Sequence, residues 1–459
     1  MSHIEKLKKN IVGFFLKNGI PLTLDYYLID FQNISDIFTY LKSVYLVFFQ
    51  KLDMIQFYEF VKYVLHEFYR YKFVEYKYVK NQKSQIPDCL KFESNKSEIY
   101  LIIQQKSDGK LSIRPEFSLE LNAVHRGKQR QYTVIKCINK GSFGKVYSCL
   151  DEHGNQFAMK LFQLKSEIDI ELNALNHLKD IDGVIKSLDR FDFTALGINF
   201  GAFVMPYMEY TLKSYVEKYK PSNDFLIRVF YKLLHYLREI HEMRCFHMDI
   251  KPENILIHVY DDGTVDVKLA DFGLAEILPE GTNHLLTNQE KITEWFRCLV
   301  NALAKANQTY FHISWIADFF ALCVSMIYMC SYKSGKKFDF LDNVIFEIFR
   351  GQQYFKSKRS DDKSPKELNV DLSRVRIINA CRAAIKNNQF FCDILMEYMN
   401  PESIVRWYSE LQTNPKDNSI IPEVIGKIET YLRMKFEEDS QSKSNGETPP
   451  RQRECGSPH

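Results

Sequence analysis

The chain has 459 residues, enough for two or three domains with full hydrophobic cores. Its 18 glycines and 14 prolines are too few for a collagen-like or low-complexity protein. The 61 basic and 58 acidic side chains leave a formal net charge of +3, which predicts neither a nucleic acid nor an anionic membrane as a partner.

The sequence shows no sign of export or membrane insertion. None of its ten cysteines lies in a CxxC pair, so neither a zinc site nor a disulfide framework is indicated. The longest apolar run, Trp315 to Cys330, contains Asp318 and is shorter than the roughly 18 to 20 residues that span a bilayer. The first residues do not read as a secretory signal. We therefore expect an intracellular, cytoplasmic protein without a membrane span, and a nuclear location stays open.

Residues 1–80 are rich in aromatic side chains, with ten Phe and ten Tyr. Codon bias would explain this excess, and so would a real difference between domains. Apolar residues recur here at helical spacing, which predicts an aromatic-rich helical domain over residues 1–80. Tyr and Phe favour contact surfaces, so we expect a regulatory or docking domain that binds a protein partner or self-associates. Residues 81–129 are expected to form a polar linker with a strand at Glu98 to Gln104.

From about residue 130 the pattern changes to short β-branched runs, followed by a helical segment from Ser166 to Lys179 and longer helices later. Strands first and helices later predict an α+β protein, with a small sheet-rich lobe joined to a larger helical lobe over residues 130–412. Residues 413–436 are expected to form a C-terminal helical extension. The tail 437–459 has almost no apolar residue and is expected to be disordered.

Residues 139–146, NKGSFGKV, lie between two predicted strands. Glycines at such a turn let the backbone N–H groups approach a phosphate, although an ordinary hairpin turn is the commoner alternative. Lys160 falls on the third predicted strand, and Glu171 on the following helix is placed to pair with it. The alternative for both charges is a solvated position.

Residues 247–254, HMDIKPEN, form the most specific functional motif in the sequence. Asp249, Lys251 and Asn254 belong to one loop that can accept a hydroxyl proton, steady a transferring phosphoryl group and hold a metal ion. The segment Asp271 to Gly273 follows after a hairpin that we predict around Asp261 to Gly263.

Together these motifs resemble the eukaryotic protein kinase family over about residues 130–412, which implies a two-lobed protein-kinase-like fold with an N-terminal helical extension. By this resemblance, Lys160 holds the α- and β-phosphates of ATP and pairs with Glu171. Asp249 is the catalytic base, Lys251 touches the γ-phosphate as in Ser/Thr-specific kinases, and Asn254 and Asp271 bind Mg²⁺. The remaining nucleotide-binding positions implied by the resemblance are Asn139, Gly141, Gly144, Val146, Ala158, Met205 and Met208.

The sequence also departs from the family pattern. Met248 replaces the arginine that receives an activation-segment phosphate, so we expect no dependence on that phosphorylation. Residues 293–300 resemble the segment that ends in the APE motif, but Cys298 to Val300 replaces the motif itself. The family glutamate normally pairs with an arginine, for which Arg406 is the candidate. We therefore expect Arg406 to be exposed or to have another carboxylate partner.

Two functions remain open at this point. The first is a Ser/Thr protein kinase that transfers the γ-phosphate of ATP, with Mg²⁺, to a protein hydroxyl. The alternative is a pseudokinase scaffold that binds nucleotide or partner proteins without catalysis, as the departures at Asn139, Met248 and 298–300 would allow.

Near the N-terminus, Phe15 to Thr23 resembles the LisH dimerisation motif, for which an ordinary helical core is the alternative.

Overall fold

The structure is a computed structural model that describes a defined set of residues. These are 59, 61–63, 66, 72–77, 89–94, 97–105, 111–119, 122, 124–128, 130–140, 144–162, 165–195, 198–261, 264–282, 284–287, 301, 310–333, 355–356, 367–368, 378–379, 381–382, 385, 388–413 and 420–444. They divide into a first unit, 1–169 with 187–207, and a second unit, 170–186 with 208–459. Most of the region predicted to be helical at 1–80, including the LisH-like segment, lies outside the described residues.

The first unit contains an antiparallel four-stranded sheet that precedes the kinase-like region. Its strands are β1 (Lys72–Lys77), β2 (Cys89–Ser94), β3 (Ser97–Gln105) and β4 (Leu111–Leu119), in the order β1-β2-β3-β4. Two expectations are therefore corrected. Residues 72–77 form a strand within the predicted helical domain, and 89–94, 97–105 and 111–119 are three strands where a linker with one strand was expected. These strands were missed because their composition is polar overall. Apolar and polar residues nevertheless alternate in them, as Leu90 and Phe92 do with their polar neighbours, and this alternation is a strand pattern.

A six-stranded antiparallel sheet completes the first unit. Its strands are β5 (Val124–Arg126), β6 (Gln131–Lys140), β7 (Gly144–Asp151), β8 (Gln156–Phe162), β9 (Asp189–Ala195) and β10 (Ile198–Pro206), in the order β5-β6-β7-β8-β10-β9. Lys160 lies opposite Val146 on one side and Phe203 on the other, and Met205 lies opposite Ala158. Because paired residues project to the same face, all five side chains share one face of the sheet.

The opposite face of this sheet is also buried. The side chains on it that are at most 1% exposed include Val134, Tyr147, Cys149, Met159, Leu161, Ala202 and Val204. Strand β4 reaches this face, because the backbone N–H of Leu119 donates to the hydroxyl of Tyr147 at 3.0 Å. The end of the N-terminal sheet is therefore joined to the six-stranded sheet by a buried hydrogen bond.

Helix α1 (Lys165–His177) begins in the first unit and ends in the second. The further elements are β11 (Tyr210–Thr211), α2 (Leu212–Tyr219), α3 (Asn223–Glu242), β12 (Cys245–Phe246), the 3₁₀ turn Pro252–Asn254, β13 (Ile255–Val259), β14 (Val265–Leu269), the 3₁₀ turn Phe272–Leu274, β15 (Glu276–Ile277), β16 (His284–Thr287), β17 (Phe311–Ser314), α4 (Trp315–Lys333), β18 (Phe355–Lys356), β19 (Glu367–Leu368), α5 (Gln389–Tyr398), α6 (Pro401–Thr413) and α7 (Ile421–Ser444). β13 and β14 pair antiparallel, so the predicted hairpin is confirmed.

Helix α4 is the centre of the second unit. Every residue from Trp315 to Ser331 is buried, as expected for a helix that is apolar on all sides. The ring of Trp315 lies 5.6 Å from that of Trp407 on α6. Among the described residues, no helix has both the length and the apolar character needed to cross a bilayer.

The C-terminal helix α7 packs on α3. Its buried residues include Val424 and Ile428, both 0% exposed, and Tyr231 on α3 donates a hydrogen bond to Glu429 at 2.8 Å. The helix continues to Ser444, so the first part of the tail expected to be disordered at 437–459 is helical.

Candidate active site

Asp249, Lys251 and Asn254 meet in one loop between β12 and the 3₁₀ turn of the second unit. Lys251 Nζ lies 2.6 Å from Asp249 Oδ2, and Asn254 Nδ2 donates to the same oxygen at 3.0 Å. Asn254 Nδ2 also donates to the backbone oxygen of Asp249 at 2.8 Å. Asp249 is only 3% exposed, so its carboxylate is held in one orientation by a cation and an amide.

His247 joins this loop to the segment before Asp271. Its Nε2 lies 3.0 Å from the backbone oxygen of Ala270, and its Nδ1 lies 3.3 Å from the backbone nitrogen of Asp249. A carbonyl can only accept, so the hydrogen-bond network assigns the ring proton to Nε2 and leaves Nδ1 as an acceptor. The His247 ring also packs on Phe272, with ring centroids 4.4 Å apart.

The carboxylate of Asp318 on α4 supports the start of the loop. Its two oxygens accept the backbone N–H groups of His247 and Met248, each at 2.8 Å. His241 at the end of α3 adds a third contact, with Nε2 3.0 Å from Asp318 Oδ2. His241 is a functional candidate that sequence reasoning missed, although it lies just ahead of the HMD segment.

The backbone takes unusual conformations where the loop meets the metal-binding candidates. Met248 has φ 62° and Asp271 has φ 65°, both in the left-handed region that non-glycine residues rarely adopt. The backbone N–H of Ala270 donates to the oxygen of Asn254 at 3.0 Å. The two candidate Mg²⁺ ligands, Asn254 and Asp271, are therefore connected through one backbone hydrogen bond.

A buried thiol lies close to this loop. Burial raises the pKa of Cys245 to about 12, and the nearby carboxylate of Asp318 acts in the same direction. Cys245 thus remains a neutral thiol at physiological pH and does not act as a nucleophile.

The nucleotide-binding candidates of the first unit that the structure describes lie on β6, β7, β8 and β10. Lys160 is 6% exposed, and its Nζ lies 4.9 Å from the centroid of the Phe162 ring. Gly144 approaches the neighbouring strand closely, since an added Cβ would lie 2.1 Å from the backbone oxygen of Leu161. Asn139 is exposed at the end of β6, and Gly141 lies outside the described residues.

Two further candidates lie in the second unit. Glu171 on α1 is 1% exposed, and Met208, which follows β10, is half-buried.

The segment 293–300 lies outside the described residues. Arg406 is 65% exposed, with Nε 3.6 Å from Glu410 Oε1, so the expectation for this arginine is confirmed.

Comparison with known families agrees with this fold and loop. The family model described as "Protein kinase domain" matches residues 132–368, just over half of the chain. The chain therefore belongs to the protein kinase family, and the predicted α+β kinase fold is confirmed.

Curated relatives are similar over part of their length. "Probable serine/threonine-protein kinase glkA" of Dictyostelium discoideum is 31% identical over 158 residues, covering 33% of this chain and 31% of the relative. "Probable serine/threonine-protein kinase MRK1 homolog" of Encephalitozoon cuniculi is 29% identical over 34% of this chain and 49% of its own. "Aurora kinase" of Candida glabrata is 29% identical over 40% and 54%, respectively. The chain thus covers less than two thirds of the length of these relatives.

Proposed function

We propose that this protein kinase is active and transfers the γ-phosphate of ATP to a Ser or Thr hydroxyl of a protein substrate. The observation that carries the proposal is the buried Asp249 carboxylate, fixed by Lys251 at 2.6 Å and Asn254 at 3.0 Å. A general base must be deprotonated, oriented and within reach of the acceptor hydroxyl. The lysine and the amide meet the second requirement in this loop.

Lys251 supports the choice of Ser/Thr as acceptor. It lies two residues after Asp249, as in Ser/Thr-specific kinases, and its side chain is partly exposed beside the proposed catalytic base. A lysine ammonium in that position can neutralise charge on a transferring phosphoryl group. The relatives named as Ser/Thr kinases favour the same assignment.

The residues present fit ATP with Mg²⁺. Mg²⁺ is commonly held by one or two protein ligands together with substrate phosphates, and Asn254 and Asp271 supply an amide oxygen and a carboxylate. Bound there, the ion would neutralise phosphate charge. In the first unit, Val146, Ala158 and Met205 give an apolar sheet face for adenine, and Lys160 adds a cation for the phosphates. We assign Asn139, Gly141, Gly144 and Met208 to the same nucleotide by family resemblance, and Glu171 as the partner of Lys160.

The second candidate function is a pseudokinase scaffold. It is favoured by Met248 and by the missing APE motif, which both depart from the family pattern. Against it, all six charged or amide residues needed for transfer are present: Lys160, Glu171, Asp249, Lys251, Asn254 and Asp271. We therefore place the active enzyme first.

The deciding experiment compares the wild-type chain with Asp249→Asn in an assay with Mg²⁺ and labelled ATP. We expect the variant to lose at least a thousandfold in phosphate incorporation, because the amide cannot accept the hydroxyl proton. Asp261→Asn, an exposed aspartate in the β13–β14 turn, is the matched control and should keep full activity. Equal incorporation by wild type and Asp249→Asn would contradict the proposal.

We further propose an intracellular, cytoplasmic enzyme, with residues 1–80 as a docking region for a protein partner or a second copy. The aromatic content of that region supports this role. Met248, which is 3% exposed and uncharged, supports activity without activation-segment phosphorylation.

A further inference from the structure

The surface beside the catalytic loop contains a second ion pair that the proposed reaction does not use. Lys213 Nζ on α2 lies 2.8 Å from Glu253 Oε1 in the 3₁₀ turn Pro252–Asn254. Their side chains are 33% and 37% exposed, so a bound polypeptide can reach both. Glu253 immediately precedes Asn254, whose amide contacts Asp249. The pair therefore lies within a few residues' reach of the acceptor hydroxyl, since an extended peptide advances about 3.3 Å per residue.

Lys213 occupies a position where a helix disfavours a cation. It is in the first turn of α2, which contains no acidic residue, and the helix dipole makes this end electropositive. Thr211 fixes the start of the helix, because its hydroxyl accepts the N–H of Ser214 while Ser214 Oγ accepts the N–H of Thr211. The capped helix thus holds Lys213 over Glu253 despite an unfavourable dipole.

Glu253 has capacity for more donors than it receives. Its Oε1 meets Lys213, whereas its Oε2 is buried and has no hydrogen-bond partner. Without Lys213, Oε1 would lack its cationic partner, and an arginine or lysine of a bound polypeptide could donate to it instead.

We propose that Lys213 is a specificity-determining residue: by neutralising Glu253, it prevents selection for Lys or Arg next to the acceptor hydroxyl in protein substrates. This proposal rests on the proposed function, in which Asp249 faces a protein hydroxyl. The ion pair Lys213–Glu253 and the pair Asp249–Lys251 each join one cation to one carboxylate. A partly exposed pair of this kind is worth up to about 1 kcal/mol, which corresponds to about a fivefold preference.

The experiment uses the full chain with ADP and Mg²⁺, and fluorescent Ser-centred peptides in which Arg replaces Ala at each position from four before to four after the serine. Affinity is read by fluorescence anisotropy, and transfer from ATP is measured separately as kcat/KM. For the wild type, Arg should change affinity less than twofold at every position. Lys213→Met should gain about fivefold for Arg at one or more positions, and Lys213→Met combined with Glu253→Gln should lose that gain.

Lys220→Met removes the same charge from the C-cap of the same helix and should match the wild type. Three results overturn the proposal: a wild type that already prefers Arg fivefold, no gain for Lys213→Met, or a gain that survives Glu253→Gln. Peptides that bind but receive no phosphate would overturn the proposed kinase activity. The peptide affinities would still test the role of Lys213 in that case.

Discussion

The carboxylate of Asp318 accepts the backbone N–H of Met248 at 2.8 Å, although Met248 replaces the arginine usual in this family. The same carboxylate accepts the N–H of His247 at 2.8 Å. The loop is therefore held by α4 through its backbone, and this support does not depend on which side chain is present at position 248. That relationship explains how the catalytic loop retains its conformation despite the substitution.

Asp318→Asn should weaken this support. An amide offers one oxygen and places an N–H group against the second backbone donor, so a charge-assisted hydrogen bond is replaced by a repulsive contact. We expect a loss of about 2 kcal/mol in the free energy of unfolding and at least a tenfold fall in kcat, measured by urea unfolding and peptide phosphorylation. Asp393→Asn, an exposed substitution on α5, should change neither. Unchanged stability in Asp318→Asn would show that the loop is held by other contacts.

Activity should not depend on activation-segment phosphorylation. Met248 cannot bind a phosphate, so complete phosphatase treatment, verified by mass spectrometry, should leave kcat/KM within twofold of the untreated enzyme. Met248→Leu, which conserves an apolar side chain at this buried position, should behave in the same way. Abolished activity after dephosphorylation would contradict the prediction.

Asn254→Ala should raise the Mg²⁺ concentration needed for half-maximal activity. The substitution removes an oxygen ligand and also the two hydrogen bonds that orient Asp249, at 2.8 and 3.0 Å. We expect at least a tenfold fall in kcat at saturating Mg²⁺ and a Mg²⁺ titration shifted to higher concentration. The matched control is Asn176→Ala, an exposed substitution on α1 that should change neither quantity. A lower kcat with an unshifted titration would assign Asn254 to positioning alone.

Stability should fall in mildly acidic solution because of His312 on β17. Burial lowers the pKa of His312 to about 4 from an ordinary value near 6.5, and His284 on the paired strand contributes in the same direction. The unfolded chain therefore binds a proton before the folded chain does, so stability is retained above pH 6.5 and is lost as the pH falls toward 4.

The free energy of unfolding should fall by up to about 3 kcal/mol over this pH range. His312→Gln removes the titration and should flatten the dependence of Tm on pH between 6.5 and 4.5, although it lowers Tm at neutral pH. His153→Gln, an exposed substitution in the β7–β8 turn, should leave the slope as in the wild type. Equal slopes for His312→Gln and the wild type would remove His312 as the cause.

The hydroxyl of Tyr147 should contribute to the free energy of unfolding, because it joins the N-terminal sheet to the six-stranded sheet. Tyr147→Phe would leave the buried N–H of Leu119 without its acceptor, at a cost of about 1–3 kcal/mol. Tyr260→Phe removes a hydroxyl from an exposed tyrosine and should be neutral. Urea unfolding of both variants measures the difference, and a neutral Tyr147→Phe would show that the bond adds no net stability.

The sequence by itself determined the family, because the kinase motifs depend on residue type and short spacing. Lys251 and Asn254 lie so close to Asp249 in the chain that one loop brings them together. Strands β6 to β8 were also predictable, since their β-branched alternation is local. The prediction of a linker was wrong for β2 and β4, because the polar residues at alternate positions of these strands are also typical of a linker.

Only the tertiary structure decided the contacts between residues that are far apart in sequence. His241 meets Asp318 across 77 residues, Leu119 meets Tyr147 across 28, and Lys213 meets Glu253 across 40. No local pattern encodes these pairs, because each depends on how whole helices and strands pack. The sequence thus predicted the candidate reacting groups, and the packing determined which residues orient Asp249 and its loop and which carboxylate pairs with Lys213.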